Sequence, residues 1–178
     1  MKNTRPMLEA ALFIVIALIL TRFGLRLWPQ GGSINFFMVP LIVYAVRWGL
    51  RWGLLAGLAF GILNIFFGSA LYHPLSGLLD YIIPGMAFGL AGLFRGKTAV
   101  YLGALVGGTV TLLSHIASGI LIFAHFMPSE FLGLNMSNIW FYSFLYNATY
   151  IIPNIIFAII ILAIMHKPLK AYFTRVQS

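Results

Sequence analysis

Six apolar runs, separated by short basic or glycine-containing segments, dictate the solvent in which this chain folds. They are Met7–Leu27, Ile34–Val46, Trp52–Phe67, Leu75–Phe94, Ala99–Phe126 and Ile139–Met165. A helix crossing the hydrocarbon core needs about 20 apolar residues, and helices satisfy their backbone polar groups internally, which lipid requires. Charged residues make up 8% of the chain and mean hydropathy is +0.98, where a water-soluble domain would be about a quarter charged. The expectation is an all-α integral membrane bundle of six transmembrane helices, with residues 1–178 as one domain. The second and third runs are short for complete spans. The opening MKNTRPMLEAALFIVIALILTRFG has the basic start and apolar run of a secretory signal. No small-residue cleavage site precedes Arg22 and Arg26, so it reads as a retained first helix.

The basic residues report orientation. With a cytoplasmic N-terminus, the inner segments hold Lys2, Arg5, Arg47, Arg51, Arg95, Lys97, Lys167, Lys170 and Arg175, and the outer ones hold Arg22 and Arg26. Nine of the 11 Lys and Arg residues then lie inside, the asymmetry that normally sets topology. It implies an even number of spans with both termini cytoplasmic. The net charge of +8 is dispersed in short clusters between the runs, unlike the single basic patch of a nucleic-acid-binding protein. Cysteine is absent, which excludes disulfides and thiolate metal sites. No GxxxxGK[ST] loop is present for ATP, and neither GxSxG nor HExxH supplies a hydrolase. The 18 glycines fall mostly within the spans, as in GLLAGLAFG and GALVGGT, where small residues let helices approach closely. A binding or transport protein without metal or cofactor, rather than an enzyme, is expected.

The stretch SGLLDYIIPG places Asp80 inside an apolar span of a chain with only 3 acidic residues. A carboxylate at that depth costs about 2.5–3.5 kcal/mol on insertion scales and demands a partner or a function. It either pairs with Arg22 or Arg26, is protonated by burial, or serves as counter-charge to a cationic ligand. At about 1.5 Å of rise per residue, Asp80 and Tyr81 on the fourth span, His115 on the fifth, and Tyr142, Tyr146 and Asn147 on the sixth converge in the outer half. Taken singly, a tyrosine there is an interfacial anchor and a histidine or asparagine an interhelical tie. Together they form a pocket. His115, Gly119 and Phe123 recur at four-residue spacing, giving a ring, a gap across which a flat ligand can lie, and an aromatic plate. Aromatic faces with one buried acid suit an aromatic cation, and Asn147 can read a heteroaromatic edge.

At these residues the chain resembles a known family. QGGSINFFMVP (30–40), HPLSGLLDY (73–81), SHIASG (114–119) and YSFLYNATYIIP (142–153) are similar to motifs of the thiamine-specific S components of energy-coupling factor transporters, the ThiT family. The resemblance covers nearly the whole chain. It implies a plasma-membrane, multi-pass bacterial protein that binds thiamine from outside, in a pocket of its fourth to sixth helices capped by the first outer loop. It also implies a transmembrane T component and two cytoplasmic ATPases as partners. The family's site residues fall on Asp80, Tyr81, His115, Gly119, Tyr142 and Asn147, with Trp28 as the lid aromatic. Two residues depart from the pattern: Asp80 stands where Glu is usual, and Phe123 where Trp is expected. An S component for another pyrimidine or thiazole compound, or an ion-coupled transporter using Asp80 and His115 as a proton relay, are the alternatives. The second lacks the repeated halves usual in such transporters.

The topology is testable because the chain has no native cysteine. Single cysteines replacing Ser129 and Ser178 should react with an impermeant thiol reagent from opposite sides, Ser129→Cys from outside. Labelling of both from one side contradicts six spans.

Overall fold

The long apolar runs fold as helices because nothing within them, save two prolines, interrupts the backbone ladder. The computed structural model describes residues 4–28, 31–67 and 71–168. Lys2, Gln30, Lys170, Arg175 and Ser178 lie outside these. Six helices follow in order: α1 (Thr4–Arg22), α2 (Met38–Trp48), α3 (Leu50–Phe66), α4 (Pro74–Leu93), α5 (Ala99–Leu121) and α6 (Ile139–His166). Four of them, α1, α4, α5 and α6, are long and apolar enough to cross a membrane. Two short antiparallel hairpins join them on one side, β1 (Leu25–Trp28) with β2 (Gly31–Ile34), and β3 (Glu130–Phe131) with β4 (Leu134–Asn135).

The helix limits correct several expectations. The first run does not stay helical to Leu27, because Gly24 brings the chain against Ser33, Ile34 and Asn35. A Cβ there would lie 3.1 Å from the Asn35 Cβ and 3.2 Å from the Ser33 Oγ. Leu25–Trp28 therefore pairs with Gly31–Ile34 as a strand, and α2 begins at Met38 rather than Ile34. Gly31 and Gly32 have φ of 127° and 75°, a region that glycine enters freely. The fifth run ends its helix at Leu121 and continues as a tight turn over Ala124–Phe126.

At 11 residues, α2 rises only about 16 Å. It tolerates this because every residue from Met38 to Arg47 is buried; it runs through the middle of the bundle and never faces lipid. Its C-terminal end is fastened to α1. Glu9 accepts from Arg47 Nε at 2.7 Å, from Trp48 Nε1 at 2.8 Å and from Arg5 Nε at 3.1 Å. The Tyr44 hydroxyl donates to the Pro6 carbonyl at 2.9 Å. A buried guanidinium needs such pairing and hydrogen bonding to offset desolvation. On its other face, α1 exposes Met7, Leu8, Leu12, Val15 and Ile19, as a lipid-facing helix does.

The closest helix crossing is α3 against α4, built from facing glycines. A Cβ at Gly57 would run into the Gly85 carbonyl, one at Gly53 into Gly89, and one at Gly61 would lie 2.7 Å from the Tyr81 carbonyl oxygen. Backbone contacts backbone here, so nothing can yield except the helices themselves. Gly57→Ala should force them apart and lower stability by about 1–3 kcal/mol, read as a lower melting temperature of the detergent-purified protein. An unchanged melting temperature would contradict a backbone-to-backbone crossing.

Candidate ligand-binding site

The site begins with a proline. Pro84 has no N–H to offer the carbonyl of Asp80, four residues back, and its ring crowds that carbonyl. The helix answers with one wider turn, a π-helical segment over Leu78–Ile82 whose closing N–H, from Ile83, reaches the Leu78 carbonyl. Such single π-turns interrupt α-helices at functional sites. Side chains of α5 face the carbonyls released by the wider turn. Ser114 Oγ donates to the Leu79 carbonyl at 2.6 Å, and His115 Nε2 stands 3.3 Å from the Asp80 carbonyl. One turn further on, Ser118 Oγ donates to the Asp80 carboxylate at 2.9 Å. Among the described residues Asp80 joins no ion pair, so the expected alternative of an Asp80 pair with Arg22 or Arg26 is not formed. Arg22 instead donates to the Phe67 carbonyl.

A hydrogen-bond relay links α5 to α6. Asn147 Nδ2 donates to the Ser143 carbonyl at 2.8 Å, which turns its Oδ1 toward Tyr150. The Tyr150 hydroxyl donates to that Oδ1. Its oxygen is then an acceptor, and His115 Nδ1, at 2.9 Å, carries the hydrogen. The imidazole is thus held in one tautomer with Nε2 turned toward α4.

These groups surround a cavity of about 690 Å³, within the range of small-molecule sites. Trp28, Asp80, Tyr81, His115, Gly119, Phe123, Tyr142, Tyr146 and Asn147 all line it. Two details of the expected arrangement change. Gly119 does not leave a slot for a flat ring on the side where its Cβ would lie, because a Cβ there would strike Ser143 Oγ; the missing side chain lets α5 and α6 approach. Phe123 lies beyond the end of α5 rather than on its face, with its ring 5.4 Å from Tyr72. Tyr142, Tyr146 and Tyr150 form a ladder with centroids 5.7 Å and 6.0 Å apart. The buried Tyr146 hydroxyl has no hydrogen-bond partner among the described residues.

The first hairpin closes one side of the cavity. Trp28 Nε1 donates to Thr149 Oγ1 at 2.8 Å, and its ring meets Phe131 of the second hairpin at 4.9 Å. Asn154 accepts from the Asn35 N–H at 2.8 Å and donates to the Ser33 carbonyl at 2.9 Å, so its amide acts as a strand partner. Tyr72, Ser118, Tyr150 and Asn154 line the cavity in addition to the residues expected from sequence. A usable signal was the recurrence of polar groups on α6, with Asn154 seven residues after Asn147 and Tyr150 four after Tyr146.

An all-helical bundle with apolar outer faces, enclosing an aromatic and acid-lined cavity beneath two hairpins, defines a membrane-embedded small-molecule-binding protein. The chain belongs to the thiamine transporter protein family (Thia_YuaJ), whose model matches residues 7–174. It is 32% identical over 152 residues to the thiamine transporter ThiT of Bacillus subtilis, covering 77% of this chain and 76% of that protein. It is 24% identical over 182 aligned residues to the thiamine transporter ThiT of Lacticaseibacillus paracasei, covering 92% and 88% respectively. A solved structure of ThiT from Listeria monocytogenes superposes with a TM-score of 0.82 at 21% identity, covering 98% of this chain and all of that one. The likeness establishes the shared fold.

The relay is open to test. Tyr150→Phe strips the hydroxyl shared by His115 and Asn147 and leaves His115 Nδ1 and Asn147 Oδ1 without that partner, at a cost of about 1–3 kcal/mol. The expected result is a lower melting temperature together with loss of the single His115 tautomer in nitrogen NMR spectra. A variant that keeps the wild-type tautomer would show that Tyr150 does not set it.

Proposed function

We propose that this chain binds thiamine from the outside and delivers it across the bacterial plasma membrane as the S component of an energy-coupling factor importer. In this reading residues 1–178 form a single multi-pass membrane domain with both termini cytoplasmic. A transmembrane T component and two cytoplasmic ATPases drive delivery, since the chain carries no nucleotide-binding loop of its own. The observation that carries the proposal is that one cavity, in a member of the thiamine transporter family, gathers the chain's intramembrane acid with its aromatic and amide groups. Thiamine is an aminopyrimidine joined to a cationic thiazolium ring. Asp80 supplies charge and hydrogen bonding, the rings of Tyr81, Tyr142, Tyr146 and Phe123 supply faces for the cation, and Asn147 and His115 border the heteroaromatic edge. Trp28 covers the ligand.

Asp80 is the decisive residue. Its protein partner is a serine hydroxyl, which an amide oxygen can also accept from, so Asp80→Asn should melt almost normally without ligand. Binding of purified protein to thiamine, followed by tryptophan fluorescence, should weaken by about 2–4 kcal/mol, thirtyfold or more, as the ligand's charge loses its counter-charge. Asp80→Glu should retain binding. An Asn variant that binds thiamine undiminished, or that collapses without ligand, overturns the assignment.

A further inference from the structure

The second hairpin runs from a polar base to an apolar tip. A backbone hydrogen bond of 2.9 Å from Met136 to Ser129 closes its base, and Glu130 pairs with Asn135 in register. One step further Phe131 faces Leu134, and Leu132 and Gly133 make the turn. Both turn residues have positive φ, 55° and 77°, the pattern of a type I′ turn, where Asn-Gly or Asp-Gly is the favoured pair. Leu132 is the one non-glycine residue with positive φ among the described residues, and a bulky apolar side chain in that conformation is strained. Packing within the protein does not offset the strain. Leu132 and Leu134 are exposed, and a Cβ on Gly133 would meet nothing within 4 Å. A strained turn that carries exposed leucines has its compensation outside the chain.

Depth identifies the compensating surface. The Phe131 ring, beside the tip, lies 4.9 Å from Trp28, 5.6 Å from Tyr142 and 5.8 Å from Tyr146. Those tyrosines are three and seven residues into α6, about 5 and 10 Å along it, so the ring sits at the depth of the first turns of a spanning helix. The exposed face of α6 over the same turns is Trp140, Phe141 and Phe144, the aromatic composition of a membrane–water boundary. We propose that the second hairpin is an interfacial lipid anchor: Leu132 and Leu134 enter the headgroup–acyl boundary of the leaflet on the hairpin side, while Glu130 and Asn135 stay in water. Apolar side chains at that depth hold a segment to the membrane in proportion to the area they bury. Phe131 lies between this anchor and Trp28. Lipid packing therefore bears directly on the ring against which the first hairpin closes the cavity.

The test exploits the absence of native cysteine and uses no ligand, so its failure would leave the thiamine reading standing. Leu132→Cys, Leu134→Cys and, at the base, Asn135→Cys are each labelled with the environment-sensitive fluorophore NBD in nanodiscs of phosphatidylcholine and phosphatidylglycerol. Labels at positions 132 and 134 should emit to the blue of the label at 135, be quenched by lipid spin-labelled near the headgroup, and escape aqueous iodide. The label at 135 should show the reverse. Iodide quenching of all three alike would place the tip in water, as a protein-docking loop requires, and overturn the proposal. Leu132→Asn supplies the second arm. Asparagine tolerates positive φ, so this variant should melt at or above the wild-type temperature in detergent, while in nanodiscs a label on Leu134→Cys becomes accessible to iodide. A lower melting temperature would mean that Leu132 packs inside the protein. A label at 134 that stays shielded in the variant would mean that Leu132 contributes nothing to an anchor. Either result overturns the proposal.

Discussion

A proline four residues after an intramembrane aspartate fixes the geometry on which the cavity-bearing half of this bundle depends. Pro84 withholds the N–H that would close an α-helical turn on the Asp80 carbonyl, and the turn over Leu78–Ile82 widens. Widening alone would leave carbonyl oxygens stranded in an apolar medium, where each costs several kcal/mol. Ser114 on α5 takes up the Leu79 carbonyl, and Ser118 one turn on reaches the Asp80 carboxylate itself. Two hydroxyls one turn apart on α5 thus answer one irregular turn of α4 and hold the Asp80 side chain toward α5. The His115 ring lies against the same turn, its Nε2 3.3 Å from the Asp80 carbonyl oxygen and its Nδ1 committed to Tyr150.

The bundle is held differently at its two ends. At the end that carries Glu9 the helices are fixed by contacts that cannot adjust: the glycine backbones Gly53 and Gly89 abut between α3 and α4, and Glu9 gathers Arg5, Arg47 and Trp48. At the hairpin end the connections are side-chain hydrogen bonds, chiefly Asn154 to Ser33 and Asn35, and Trp28 to Thr149. Each such bond contributes only about 1 kcal/mol net. A hairpin held by a few of these moves at far lower cost than a helix whose backbone is interlocked with its neighbour's. The cavity lies beneath the weakly held end, where opening is least costly.

What the sequence made legible followed from periodicities with one physical meaning. Long uncharged runs have to be helices in lipid, and a fixed rise per residue puts Asp80, His115 and Tyr142 at one depth without any knowledge of packing. Hydropathy does not distinguish an apolar helix from an apolar strand, so Leu25–Leu27 read as the end of a span, although Gly24 was the visible break. Gly119 was ambiguous for a related reason: the same absent side chain serves a ligand face or a helix contact, and only the position of Ser143 decides. Pro84 was visible in SGLLDYIIPG, but its consequence depends on which carbonyls α5 can rescue. Tyr150 and Asn154 were hidden because a lone hydroxyl or amide in a membrane helix is ordinarily an interhelical tie, and Asn154 ties α6 to a hairpin that the sequence did not reveal.

The pattern of satisfaction within the cavity wall separates framework from recognition. Ser114, Ser118, Ser143, Asn147 and Tyr150 all donate within the protein, mostly to backbone carbonyls or to one another. A fully connected polar network in a low-dielectric interior is rigid, since any rotation strands a donor. The Tyr146 hydroxyl stands outside it, buried yet unpartnered among the described residues, with its ring held between those of Tyr142 and Tyr150 and its oxygen 3.9 Å from where a Cβ on Gly31 would lie. Leaving such a group unpaired costs about 1–3 kcal/mol, and that cost is recovered only by a partner of the right shape. A site that discriminates through a missing hydrogen bond rejects analogues lacking the matching group far more strongly than one relying on apolar fit. Selectivity in this cavity therefore concentrates at Tyr146 and Asp80, whose hydrogen-bonding capacity the protein leaves unfilled, while the completed relay behind them keeps both in place.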